Sequence, residues 1–264
     1  MHRPFIAAAV TIAALMSLAG SGFAQQPQLP QLRPPPPPAA APVKPYRPVA
    51  VTPPAPFNDP SFVAFRKQLG DVAAHKDRAA LAKLVVAQNF FWLQDKNLAD
   101  KRKSGVDNLA KAINLDGKDG SGWDTLAGYA DEPSAAESSE QKGAFCAPAD
   151  PGIDPNAFEA LGKATQTDPS EWAYPTKDGV EVHAAAAPNS PVIDKLGMNL
   201  VRVLPDSGPP ANANEPIVLP VATPSGKSGF VDAQALSPLG GDQMCYAKDA
   251  TGWKIAGYLG GVGQ

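Results

Sequence analysis

Apolar residues recur at helical spacing through the first half of the chain and at strand spacing through the second. Phe62, Phe65, Leu69 and Val72 fall on one face of a predicted helix that Asp59 can cap and Pro60 can begin. Asp77 can cap a second helix carrying Leu81, Leu84 and Val85. Ser104 can cap a third carrying Val106, Leu109, Ala110 and Ile113. Ala157, Leu161 and Ala164 suggest a further short helix. Asn89 to Leu93 is too aromatic for a solvated loop and predicts a packed segment or short strand. Ser134 to Lys142 is small and polar, which suits a loop or a surface helix. Residues 61–165 therefore read as a mainly helical domain.

The period then drops to two. Val180 and Val182 alternate with polar neighbours, as do Val201 and Val203, and Gly229-Phe230-Val231 forms a third apolar run. Pro224 pre-sets the first corner of a tight turn, and Gly226 can take the positive φ that closes it. Gly229 suits a strand start or a close backbone approach. Farther on, Gln243 to Ala247 and Gly252 to Tyr258 flank Lys248-Asp249-Ala250-Thr251 and read as a β-hairpin with aromatic partners across it. The fold class expected is α+β: a helical N-terminal domain, then at 170–264 a small β-barrel with a closing hairpin, the two parts folding together with that hairpin bridging them.

The order of these parts resembles the bacterial SH3-like (SH3b) domain over roughly 60 residues. The stretch "DGVEVHAAAAPNSPVIDKLGMN" is similar to the family's first strand and long loop, and "VATPSGKSGFVDAQAL" to its distal hairpin and following strand. Phe230 stands where Trp is commoner, and the insert Asp206 to Pro216 is longer than usual. The closing "GWKIAGYLGG", with the Phe65/Leu69/Val72 start, is similar to exported alphaproteobacterial periplasmic proteins. The resemblance implies a cell-envelope binding module rather than a catalytic fold. Its ligand surface would lie between Ala184 to Ser190 and Pro205 to Pro216. Trp172 and Tyr174 would line it or else pack at the domain junction, with His183 and Asn189 nearby.

Met1-His2-Arg3, the apolar run Phe5 to Leu18 and the small residues Gly22 and Ala24 make residues 1–24 a signal peptide, the alternative being an uncleaved anchor. No membrane span is expected after cleavage, and the expected location is the periplasm or the exterior. Residues 25–60 hold 14 of the chain's 30 prolines, including Pro34 to Pro38, and predict a disordered or polyproline linker. The two cysteines, Cys146 and Cys245, are expected to form one disulfide in an oxidising compartment. Net charge is −3, and the only basic run is Lys101-Arg102-Lys103, which disfavours nucleic acid as a partner.

Chemistry is hard to find in the pattern. His75 and His183 are isolated, no spacing suggests a metal site, and no cofactor is expected. A Cys146–His183 pair would need a free thiol and an orienting group. The run Asn114 to Gly120 fails as a calcium loop, because Lys118 takes the fifth position and Asp119 the sixth. No catalytic residue is assigned. The expected partner is peptidoglycan or an envelope protein, with a structural scaffold and a peptidoglycan hydrolase as the other readings.

Overall fold

The computed structural model of the chain describes residues 43–187, 189–205 and 217–260. The predicted signal peptide, the Pro34 to Pro38 run and the insert 206–216 lie outside the described residues.

The first half runs β1 (Val51–Thr52), α1 (Pro60–Ala74), α2 (Arg78–Leu84), β2 (Phe91–Leu93), α3 (Gly105–Ala112), α4 (Ser121–Asp131), β3 (Ala136–Glu137), β4 (Phe145–Ala147), β5 (Gly152–Ile153) and α5 (Pro155–Thr165). After a 3₁₀ turn at Pro169–Glu171 come β6 (Trp172–Pro175), β7 (Val180–His183), β8 (Val192–Leu196), β9 (Val201–Val203), β10 (Val218–Ala222), β11 (Ser228–Asp232), β12 (Leu236–Pro238), β13 (Gln243–Asp249) and β14 (Gly252–Leu259). The class is mixed α+β.

Helices begin where the sequence offers an acceptor for the unpaired first-turn amides. The Asp59 carboxylate accepts from the amides of Ser61 and Phe62, Asp77 from Ala80, and Ser104 from Asp107. Helix α4 is an exception. Its N-cap is Gly120 at φ +77°, with no side-chain cap, and its stability comes from packing Leu126 and Ala130 into the core beside α1.

Strands β2-β14-β13-β4-β3 form a five-stranded sheet in that order, with β2 parallel to β14 and the other pairs antiparallel. The β13–β14 hairpin is formed, but its turn is only Ala250–Thr251, because Lys248 and Asp249 of the predicted connection pair as part of β13. Its apolar face packs against the helices. Met244, Tyr246, Trp253, Ile255 and Tyr258 pack with Phe62, Leu69, Leu81 and Leu109 in a single core. The chain's last strands thus complete the helical half, and the boundary at residue 170 does not separate two cores. Helix α5 departs in the opposite sense: its buried Leu161 packs with Trp172, Tyr174 and Leu200 of the chain's second half.

Gly105 opens α3 under Val86. A Cβ there would lie 1.9 Å from the Val86 carbonyl oxygen, a backbone atom that cannot swing aside. Gly105→Ala is therefore expected to destabilise the protein by roughly 1–3 kcal/mol through overpacking. Urea unfolding checks this, and an unchanged midpoint would refute the close contact.

The second sheet has the order β12-β6-β9-β10-β11-β7-β8, with every pair antiparallel. It is not closed by hydrogen bonds, and β12 and β8 are its edges. Leu236 from one edge strand and Leu196 from the other nevertheless share a core with Val182, Val201, Val221 and Val231. A sheet whose two edges meet one core is strongly curled. Gly226 takes φ +84° at the β10–β11 turn, as predicted. Gly229 permits a close approach, since a Cβ there would lie 2.6 Å from the His183 carbonyl oxygen.

The predicted linker differs in its second half. From Val43 to Thr52 the chain lies as a strap along the seven-stranded sheet and β5, and Pro56 then bridges to Ser134. Leu200 N–H donates to Val49 O at 2.9 Å, Val51 N–H donates to Met198 O at 3.0 Å, and β1 pairs with β5. Val49 and Val51 are buried while Pro48, Ala50 and Thr52 are exposed. Prolines exclude donors only at their own positions, so a period-2 run between them can still pair.

Candidate functional site

Strand β6 is buried on both faces. Ala173 points into the core of the curled sheet, whereas Trp172 and Tyr174 emerge on the opposite face. The outer face of a curled sheet is ordinarily wet, but here α5 and the strap cover it. Trp172 is 1 % exposed and Tyr174 6 % exposed, both in a cluster with Val49, Val51, Leu161 and Leu200. The two aromatics therefore pack at the junction rather than forming an open groove wall, although each has an edge in a cleft.

The first cleft, about 460 Å³, lies between α4 and the β12–β13 connection. Tyr129, Glu132, Asp150, Tyr174, Asp242 and Gln243 are among its walls. The Tyr129 hydroxyl donates to the Asp242 carbonyl at 3.0 Å, and the Tyr258 hydroxyl to the Asp242 carboxylate at 2.7 Å. Gln243 Nε2 donates to the Pro148 carbonyl at 2.8 Å and to the Asp150 carboxylate at 3.3 Å. Burial pushes the Tyr129 phenol up to about 12. Burial, and then the hydrogen bond to Asp242, raises Tyr258 well above the usual tyrosine range. Both phenols therefore stay protonated as donors near neutral pH. Three carboxylates, two tyrosine rings and no basic side chain give this cleft an acceptor-rich wall.

A second, shallower cleft of about 510 Å³ runs between α5 and the 3₁₀ turn, bordered by Phe158, Lys163, Gln166, Asp168 and Trp172. The Trp172 indole donates to Thr167 Oγ1 at 2.9 Å, which fixes the ring against it. The Asp168 amide, and then Arg202, hold the Glu171 carboxyl below its ordinary value. The Arg202–Glu171 ion pair, 2.8 Å long and partly buried, locks the turn onto β9.

His183 and Asn189 lie elsewhere. His183 ends β7, separated from β6 by β9, β10 and β11 in sheet order. Its Nδ1 lies 2.9 Å from the Ser190 carbonyl, and the Ala185 amide donates to Ser190 Oγ at 2.7 Å, so the Ala184 to Ser190 loop is pinned at its base. Asn189 is exposed. The loop expected to face it, 206–216, is outside the described residues.

Cys146 and Cys245 form the predicted disulfide. They are a directly opposed cross-strand pair in β4 and β13, and with both sulfurs bonded neither supplies a thiolate to His183. Among the described residues, no group of three or more His, Cys, Asp or Glu side chains is placed to hold a metal ion. No helix among them is long and apolar enough to cross a membrane. Sequence reasoning passed over Tyr129, Asp150, Asp242 and Gln243. They come from segments far apart in the chain, and only the tertiary fold brings them together. Comparison with protein-family models, curated proteins and solved structures finds no match.

Proposed function

We propose that the chain is an exported, non-enzymatic binding module of the cell envelope, in which an SH3-like barrel half recognises peptidoglycan or an envelope protein. The observation that carries this reading is the curled antiparallel sheet wrapped around its own small core. It has a long pinned loop after its second strand and a tight Thr223 to Lys227 turn, in the order that motivated the resemblance. The cleft between α4 and the β12–β13 connection supports it further. Its acceptor-rich walls and tyrosine rings suit a polar ligand carrying amide, hydroxyl or amine donors.

The mature chain, Gln25 to Gln264, is expected to co-sediment with purified sacculi. Asp150→Arg reverses an exposed carboxylate on the cleft rim and is expected to lower retention about fivefold, equivalent to about 1 kcal/mol, with no change in thermal unfolding. A wild-type protein that stays wholly in the supernatant would overturn the wall-binding reading. One observation favours a second reading, a structural scaffold. The strap packs on the seven-stranded sheet and runs on to pair with Ser134 before α1, while the disulfide fastens the base of that sheet within the five-stranded one, and co-purification with envelope proteins in the absence of sacculus binding would select it.

A further inference from the structure

We propose that the strap Tyr46 to Thr52 is a self-supplied ligand in a peptide-recognition surface of the barrel half. The surface would also accept an extended, proline-flanked segment of another polypeptide carrying tyrosine and then valine three and five positions later. The inference rests on the binding-module reading above and specifies its partner.

The strap is seated as a recognised peptide would be. Its backbone adds to existing structure from both sides, through Leu200 N–H to Val49 O, Met198 O to Val51 N–H, and the β1–β5 pair. Backbone pairing of this kind supplies affinity, and alternate side chains supply selectivity. The alternation is present: Val49 and Val51 enter the apolar cluster beside Trp172 and Leu200, while the residues between them face outward.

Tyr46 is the anchor. Its ring meets Trp172 edge to face, with centroids 5.1 Å apart. Its hydroxyl reaches backbone groups of the barrel, lying 2.9 Å from the Ala222 carbonyl and 3.2 Å from the Leu200 carbonyl, and it accepts the Arg202 amide at 3.3 Å. These three groups form a polar socket at the bottom of an apolar surface, the arrangement that selects tyrosine over phenylalanine. Pro45 and Pro48 flank the anchor and reduce the ordering entropy of an extended peptide. Gly226 completes the fit, because a Cβ there would lie 2.8 Å from Pro45 Cγ and 2.9 Å from the Val43 carbonyl.

The strap is tethered to the surface it covers, so its effective concentration is high and a competitor in solution is at a disadvantage. Weakening the strap removes that disadvantage. The experiment is fluorescence polarisation with a labelled peptide of residues Val43 to Pro54, titrated with mature wild-type protein and with the Tyr46→Ala variant. The variant is expected to bind the wild-type peptide at least about tenfold more tightly than the wild-type protein does. A peptide carrying Tyr46→Ala is expected not to bind either. Val49→Thr is a milder second variant and should give an intermediate gain. Equal or absent binding by folded variants would overturn the proposal. So would loss of the fold in both, which would make the strap an integral strand. Sacculus retention is a separate readout: its failure bears on the wall ligand, and failure of peptide binding bears on the strap socket.

Discussion

Replacing Cys146 and Cys245 together by alanine is expected to lower the unfolding free energy by about 4–5 kcal/mol. The bond closes a loop with a sequence separation of 99. In the chain-entropy account, a cross-link of that span removes about 4.7 kcal/mol of freedom from the unfolded chain. Cys146 and Cys245 are register partners in adjacent antiparallel strands, and they are 3 % and 0 % exposed. The loop contains α5, the whole seven-stranded sheet and the β12–β13 connection. The seven-stranded sheet is therefore an excursion from the five-stranded sheet, fastened at its base. Against the roughly 5–15 kcal/mol by which domains are commonly stable, a loss of this size leaves little margin. Urea unfolding of the double variant measures it. Substitution is preferable to a reductant here because the sulfurs are buried. A fall of less than about 1 kcal/mol would mean that the unfolded chain is already constrained at this point by other means.

What was legible in the sequence follows the range of the forces involved. Asp59, Asp77 and Ser104 announce helices because a cap and its amides lie within three residues of one another. The Thr223 to Lys227 turn and the β13–β14 hairpin are equally local. The disulfide needed only a count of cysteines and a compartment. Helix α4 was missed because Gly120 offers no side-chain acceptor and Gly122 and Gly128 lower its intrinsic propensity; burial against α1 decides its conformation. The strap was missed because its prolines suggest an absence of donors, whereas its pairing partners are about 100 and 150 residues away. The burial of Trp172 and Tyr174 is non-local too, since only the strap and α5 distinguish their face of β6 from a solvated one.

The C-terminal hairpin provides the sharper test of this architecture, and Trp253→Ala is its probe. Had the hairpin closed the barrel, the substitution would leave the helices of residues 61–165 intact. In the structure, Trp253 packs instead in the core of the helical half, against the start of α1. Its ring lies 4.9 Å from Phe62, 5.7 Å from Phe145 and 6.0 Å from Phe57, and its indole donates to Ser61 Oγ at 3.0 Å in the first turn of α1. Lys248 stacks its ammonium 5.5 Å from the same ring and donates to the same hydroxyl. Truncation to alanine removes these contacts and leaves a cavity among side chains already fixed by Tyr246 and Ile255. Losses for such truncations run to about 3–5 kcal/mol. The far-ultraviolet helical signal and the near-ultraviolet aromatic signal should therefore fall together, at a much lower urea midpoint than in the wild type. Removing β13 and β14 altogether should go further and abolish the helical signal, because α1, α2 and α3 would each lose the sheet that covers their apolar face. A helical half that stays folded without the hairpin would show that its core is self-sufficient, which the burial of Ile255 and Tyr246 at 0 % exposure between helices and sheet argues against.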